Sequence, residues 1–183
     1  MRMEQVWSMP NKATFQIPPV RKLLKRYVGD GKGWIDPFSG GSSFAEITND
    51  INEKLKATSH VDALEFLKGF DKRSVKGVLF DAPYSYEKAI RLYGVKYEDT
   101  QSFFNHIMDC KKEVCRIVDD DGLVIIFGWT SNGLGTVNGF DMIELLLITH
   151  GWQTNDTIVT VECRTEYIDR FSSRGKDLSE VFS

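Results

Sequence analysis

VKGVLFDAPYS, residues 75–85, decides how the rest of the chain is read. Val75, Val78, Leu79 and Phe80 form a near-continuous apolar run, the pattern of a strand covered on both faces. The run stops in Asp81, Ala82, Pro83, Tyr84 and Ser85. In open α/β sheets ligands bind beyond the carboxyl ends of the strands, so a carboxylate, a rigid proline and an aromatic ring there point to a site. As an isolated tetrapeptide DAPY would equally suit a plain turn; its place at the end of a buried strand gives it weight.

Outward from this strand, helical and extended patterns alternate. In PPVRKLLKRYV (18–28), Val20, Leu23, Leu24 and Tyr27 recur at helical spacing, with Arg21, Lys22, Lys25 and Arg26 expected outward. GWIDPF (33–38) reads as a short strand stopped by Pro37 and the loop SGGSS, and AEITNDI (45–51) as a second, more polar one. DALEFLKGF (62–70) reads as a helix capped by Asp62, and TQSFFNHIMDCKKEVCRIV (100–118) as a long helix capped by Thr100. DDDG (119–122) is expected to turn into the buried strand GLVIIFGW (122–129). FDMIELLLITHG (140–151) and TIVTVECR (157–164) are two strands joined by a short polar turn, hence an antiparallel pair. The expected fold is α/β: a mostly parallel sheet with helices on both faces and a C-terminal antiparallel hairpin strand.

Bulk properties narrow the class. With 183 residues and 42% hydrophobic side chains, the chain is expected to form one domain with a sizeable core and a tail over 167–183. No 18-residue apolar run exists and MRMEQVWSMPNK lacks the apolar core of a secretory signal, so the expected location is the cytoplasm, with no membrane segment. Cys110, Cys115 and Cys163 are odd in number and lack ligand spacing, which argues against a disulfide framework and a zinc site; no metal is expected. A net charge of −3 means that any contact with a polyanion must come from a local basic patch.

DPFSGG (36–41), followed about 45 residues later by DAPY (81–84), resembles the S-adenosylmethionine-dependent DNA adenine N6-methyltransferases. Their glycine-containing motif precedes an (Asp/Asn)-Pro-Pro-(Tyr/Phe) motif in the same order, within a Rossmann-like methyltransferase fold. NKATF (11–15) lies before the first helix as that family's N-terminal methionine-binding motif does, and the likeness runs over roughly residues 8–164, closest to the short, phage-associated members. The resemblance implies S-adenosylmethionine as cofactor and methylation of the N6 amine of adenine in DNA.

It also implies roles for particular residues. Lys12, Thr14, Phe15, Asp36, Pro37, Phe38, Ser39 and Gly40 would surround the cofactor's methionine half, with Asp36 accepting from its ammonium and Gly40–Gly41 allowing close backbone approach. Asp50 would accept the ribose hydroxyls, though an acid there also suits the surface; Asp62 and Ala63 would meet the adenine amine, though Asp62 also suits a helix cap. Asp81 and the Ala82 carbonyl, stiffened by Pro83, would accept the two N–H groups of the target amine and free its lone pair. Tyr84 would stack on an extruded base, with Ser85 and Trp129 lining the same pocket, although Trp129 also suits core or rim packing. The family's first proline is Ala82 here; the carbonyl survives the change, and Pro83 still confines Ala82 to extended backbone.

Other features carry less. Gly133, Gly135 and Gly139 narrowly miss a dinucleotide fingerprint, and His60, His106 and His150 lack metal spacing. No separate target-recognition domain is expected, so DNA contact falls to Lys12, Arg21, Lys22, Lys25, Arg26 and Lys32, or to Arg164, Arg170, Arg174 and Lys176, or to a homodimer or a separate recognition subunit. SYEKAIRLYGVKYEDTQS (85–102), with Tyr86, Tyr93 and Tyr97, is the expected mobile lid. The alternatives are a methyltransferase for an RNA base or a protein glutamine, a non-catalytic binder of S-adenosylmethionine or DNA, and, more distantly, a nicotinamide-dependent oxidoreductase.

Overall fold

A computed structural model describes residues 1–42, 44–93, 97–151 and 154–172. The strands are β1 (Arg2–Trp7), β2 (Trp34–Asp36), β3 (Ile47–Thr48), β4 (Val75–Phe80), β5 (Val118–Gly128), β6 (Phe140–Thr149) and β7 (Thr157–Arg164). The helices are α1 (Pro18–Tyr27), α2 (Ala63–Lys68), α3 (Tyr86–Tyr93), α4 (Thr100–Ile117) and α5 (Ile168–Ser172). The strands form one sheet in the order β1-β6-β7-β5-β4-β2-β3, parallel throughout except where β7 pairs with β5 and β6. The expected hairpin is therefore present.

The two-sided reading of β4 holds at the level of single side chains. Leu79 enters one core with Leu23, Leu24, Ile125 and Phe127, while Val78 and Phe80 enter the other with Phe66, Leu67, Val114 and Ile126. Gly77 interrupts the apolar run because a Cβ there would come within 2.6 Å of the Trp34 ring on β2. Among the described residues no helix is long and apolar enough to cross a membrane.

Several expectations are corrected. Residues 2–7 form an edge strand parallel to β6, which their polar composition does not announce; the partner's backbone supplies the stabilisation. The strand expected over 45–51 shrinks to Ile47–Thr48. DDDG does not turn: it lies inside β5 as an irregularity, with Val118 opposite Val75 and Leu123 opposite Gly77, and Asp120 pairs with Arg73. The cap of α4 is Asp99, not Thr100, since the Asp99 carboxylate accepts from the Ser102 amide at 2.7 Å and Ser102 Oγ accepts from the Asp99 amide at 3.0 Å. Arg26 turns inward to Glu144, which also accepts from the Tyr27 hydroxyl at 2.6 Å. Arg164 donates to the carbonyls of Cys115 and Val118 at 2.7 and 2.8 Å, so neither arginine is presented as a surface phosphate ligand. Arg174 and Lys176, the side chains of Tyr93 and Arg170, and most of the expected tail lie outside the described residues.

Candidate active site

The carboxyl ends of β2, β3 and β4 bring Asp36, Asp50 and Asp81 to one edge of the sheet. Asp36 is fully buried; its Oδ1 accepts from the Phe38 amide at 3.0 Å, while Oδ2 has no hydrogen-bond partner. The hydroxyl of Ser39, also buried, is likewise unpartnered. Burial pushes the Asp36 carboxyl well above its ordinary range against the pull of the Phe38 amide, and the charges of Asp81 and Asp50 push the same way. Two buried oxygens without partners are costly, and a cationic donor would relieve both the desolvation and the repulsion.

Gly40 and Gly41 follow with φ of +57° and +81°, a backbone that side-chain-bearing residues rarely adopt, and open space surrounds the position of a Gly40 Cβ. Their loop is held by Asp50, whose two oxygens accept from the amides of Gly40 and Asn52, each at 2.9 Å. Asp50 is thus first a builder of the glycine loop, and each oxygen keeps one further acceptor position.

Asn49, which sequence reasoning passed over, ties the site together. Its amide nitrogen donates to the carbonyls of Pro37 and Val61 at 3.2 and 3.0 Å, and its Oδ1 accepts from the Ser59 hydroxyl and the Val61 amide at 2.8 and 3.1 Å. Asp62 caps α2 by accepting from Leu64 at 2.9 Å, and its other oxygen lies 3.3 Å from His106 Nε2 on α4. Burial works to raise Asp62, but the hydrogen bond and charge of His106, with the Leu64 and Glu65 amides, outweigh it and hold the carboxyl below its ordinary value. The helix-cap reading of Asp62 thus holds, and the residue also lines a cleft. That cleft is lined by Pro37, Phe38, Asp50, Asp62, Ala63 and Pro83, together with Tyr97 from the segment expected as a lid and with His106 and Ile107, which the sequence did not assign to a site.

Around Asp81 the arrangement is tighter. Tyr84 donates its hydroxyl to Asp81 Oδ1 at 2.5 Å. Burial raises the Asp81 carboxyl, with the hydrogen bonds from Tyr84 and Thr14 and the charge of Lys88 working against it. The Tyr84 ring lies 5.2 Å from the Trp129 ring, and the Lys88 ammonium sits 4.3 Å above the Tyr84 ring. Thr14 and Lys12 line a second, larger cleft with Tyr84 and Trp129 rather than the first. Phe15 is a core residue, 4.9 Å from the Phe127 ring. Ser85 Oγ accepts from the Lys88 amide at 3.2 Å, which makes it a cap for α3. Of the other expected histidines, His150 is packed between the Ser8 carbonyl and Thr157 Oγ1, both at 2.8 Å. Among the described residues no cluster of His, Cys, Asp and Glu could hold a metal.

Solved structures share this frame. TrmN from Thermus thermophilus superposes with a TM-score of 0.55 over 84% of this chain and 51% of its own, at 16% identity. The chain has the Rossmann-like methyltransferase fold. The 1,6-didemethyltoxoflavin-N1-methyltransferase of Burkholderia thailandensis, with bound 1,6-didemethyltoxoflavin and S-adenosylhomocysteine, superposes with a TM-score of 0.53 over 80% of this chain and 77% of its own, at 11% identity. At such identities the likeness is one of fold. The chain spans about half the length of TrmN. No family model and no curated protein matches it.

Proposed function

We propose that this protein transfers a methyl group from S-adenosylmethionine to an exocyclic amine, and that the amine is N6 of adenine in DNA. The observation that carries the reading is Asp81, a partly buried carboxylate at the end of β4, on the same sheet edge as the unpartnered Asp36 oxygen.

The residues present fit the cofactor. Asp36 Oδ2 and Ser39 Oγ are acceptors for its ammonium, the remaining acceptor positions of Asp50 suit the ribose, and Asp62 in the first cleft suits the adenine amine. Bound, the cofactor supplies an electrophilic methyl group on a positively charged sulfur. The B. thailandensis methyltransferase, which holds S-adenosylhomocysteine on this fold, supports the assignment.

The chain's own part is to grip the amine. An exocyclic nitrogen is a poor nucleophile while its lone pair is conjugated with the ring. Asp81 and the Ala82 carbonyl accept its two N–H bonds and turn the lone pair out of that plane. Tyr84 supplies a ring on which the base rests, which compensates for stacking lost on leaving the helix.

The test is tritium transfer from labelled S-adenosylmethionine to unmethylated DNA, comparing wild type with Asp81→Ala and followed by nucleoside analysis. Label in N6-methyladenine that vanishes in the variant is the expected result. Label absent from DNA but present in RNA or in protein glutamine would transfer the reading to those amines. Cofactor binding with no acceptor would make the protein a binder, Ala82 being the departure that marks it.

A further inference from the structure

The second cleft opens directly onto Tyr84 and Trp129 and has a charge unlike that of the chain. The protein carries a net charge of −3, yet the described residues lining this cleft include Lys12, Lys88 and Arg91 and no aspartate or glutamate. Lys88 and Arg91 are three positions apart on α3, so they share one helix face. Lys12 reaches the same cleft from the segment before α1, and Asn11 and Asn155 add neutral hydrogen-bonding groups. At the floor the two aromatic rings lie 5.2 Å apart, with the Lys88 ammonium 4.3 Å from one and 5.8 Å from the other.

We propose that this cleft is a track for the phosphodiester backbone of a single polynucleotide strand, with Lys12, Lys88 and Arg91 as its phosphate ligands and the Tyr84–Trp129 pair as the seat of one unstacked base. The inference rests on the methyl-transfer reading for the identity of that base. A concave basic groove with aromatic rings at its floor is the arrangement that binds single strands, in which charge follows the backbone and rings take the bases. Duplex readout needs a helix or ribbon projecting into a groove, whereas here α3 forms a wall. Lys88 stands at the junction: its ammonium lies over the ring a base would cover, so a phosphate that draws it away also clears the seat. A free nucleobase or nucleoside offers no such phosphate, and the device therefore favours phosphate-bearing nucleic acid over either.

The test uses the full chain with a fluorescein-labelled single-stranded oligodeoxyadenylate, read by anisotropy over a salt series, and with S-adenosylhomocysteine, read by calorimetry. Variants are Lys12→Gln, Lys88→Met and Arg91→Gln, with Lys22→Gln on the exposed face of α1 as control. Each cleft variant is expected to lose roughly threefold or more in oligonucleotide affinity at low salt and to flatten the log–log salt slope by about 0.7, the value for one phosphate contact on a single strand. S-adenosylhomocysteine affinity should stay unchanged in Lys88→Met and Arg91→Gln, Lys22→Gln should match wild type, and the duplex of the same sequence should bind more weakly than the single strand. Equal losses in Lys22→Gln, cleft variants that bind like wild type, or tighter binding of the duplex would each overturn the track. If S-adenosylhomocysteine binds and the oligonucleotide does not, the track falls and the cofactor assignment stands. If the oligonucleotide binds through the cleft without accepting a methyl group, the track stands and the proposed reaction falls.

Discussion

The hydroxyl of Tyr84 donates to the carboxylate of Asp81 at 2.5 Å, so the aromatic residue of the loop holds the acceptor on which the proposed chemistry depends. Burial raises the Asp81 carboxyl and this bond opposes the rise. Tyr84→Phe removes the opposition, so Asp81 should titrate at a higher pH. Only the ionised carboxylate leaves both oxygens free to accept, hence the acid limb of the pH–activity profile should move upward while S-adenosylhomocysteine affinity holds. A limb that stays in place would show that Tyr84 acts through its ring alone.

Asp36 should trade stability for binding. Its folded pKa is raised, so the folded state holds its proton more tightly than the unfolded chain, and stability falls as pH climbs from the ordinary carboxyl range through the raised value. Asp36→Asn removes the ionisable group, so this pH dependence should disappear, and above the raised pKa the variant should melt roughly 2–4 °C higher than wild type, the shift that about 1 kcal/mol makes in a chain of this size. The same change should abolish S-adenosylhomocysteine binding by calorimetry. In the wild type, binding of the ammonium should weaken as pH falls below the raised Asp36 pKa and should release protons, visible as a buffer-dependent binding enthalpy.

Asn49→Ala should cost roughly 2–3 kcal/mol in urea unfolding, because it strands the Val61 amide and the carbonyls of Pro37 and Val61. Asn49→Asp keeps the shape but replaces a donor with an acceptor facing two carbonyls, so it should be no milder. Either variant loosens the Pro37 and Val61 walls of the first cleft, and weaker S-adenosylhomocysteine binding should accompany the loss.

Gly133→Ala should be destabilising by roughly 1–3 kcal/mol in a thermal melt, since the new methyl group would collide with the Glu162 carboxylate. Glu162 cannot yield freely: it accepts from the amides of Leu134 and Gly135 at 2.8 and 3.3 Å and from the Thr160 hydroxyl at 3.0 Å. Glu162→Gln keeps one carbonyl acceptor and should be milder than Gly133→Ala; the reverse order would show that the loop, not the carboxylate, gives way.

What sequence alone settled was local in origin. The apolar run of β4, the helical spacing in α1 and α4, the hairpin of β6 and β7 and the Asp62 cap are written in neighbouring residues, because strand and helix periods and capping bonds span only a few positions. The edge strand β1 was beyond its reach and β3 was drawn too long, since their stabilisation and extent come from a partner's backbone rather than from their own side chains. The site divides in the same way. DPFSGG and DAPY announced Asp36 and Asp81 by composition, and Pro37, Phe38, Asp50, Asp62, Ala63 and Pro83 do meet in one cleft. Phe15 went to the core because its ring fits beside Phe127, a contact no local pattern encodes. Only the tertiary structure could pair Asp62 with His106, set Lys88 over Tyr84 and Trp129, fold Arg26 onto Glu144 across 118 positions, and close Asn49 around Pro37 and Val61. The physical reason is that burial makes each polar group seek a partner, and which partner lies within 3 Å is decided by how distant segments pack.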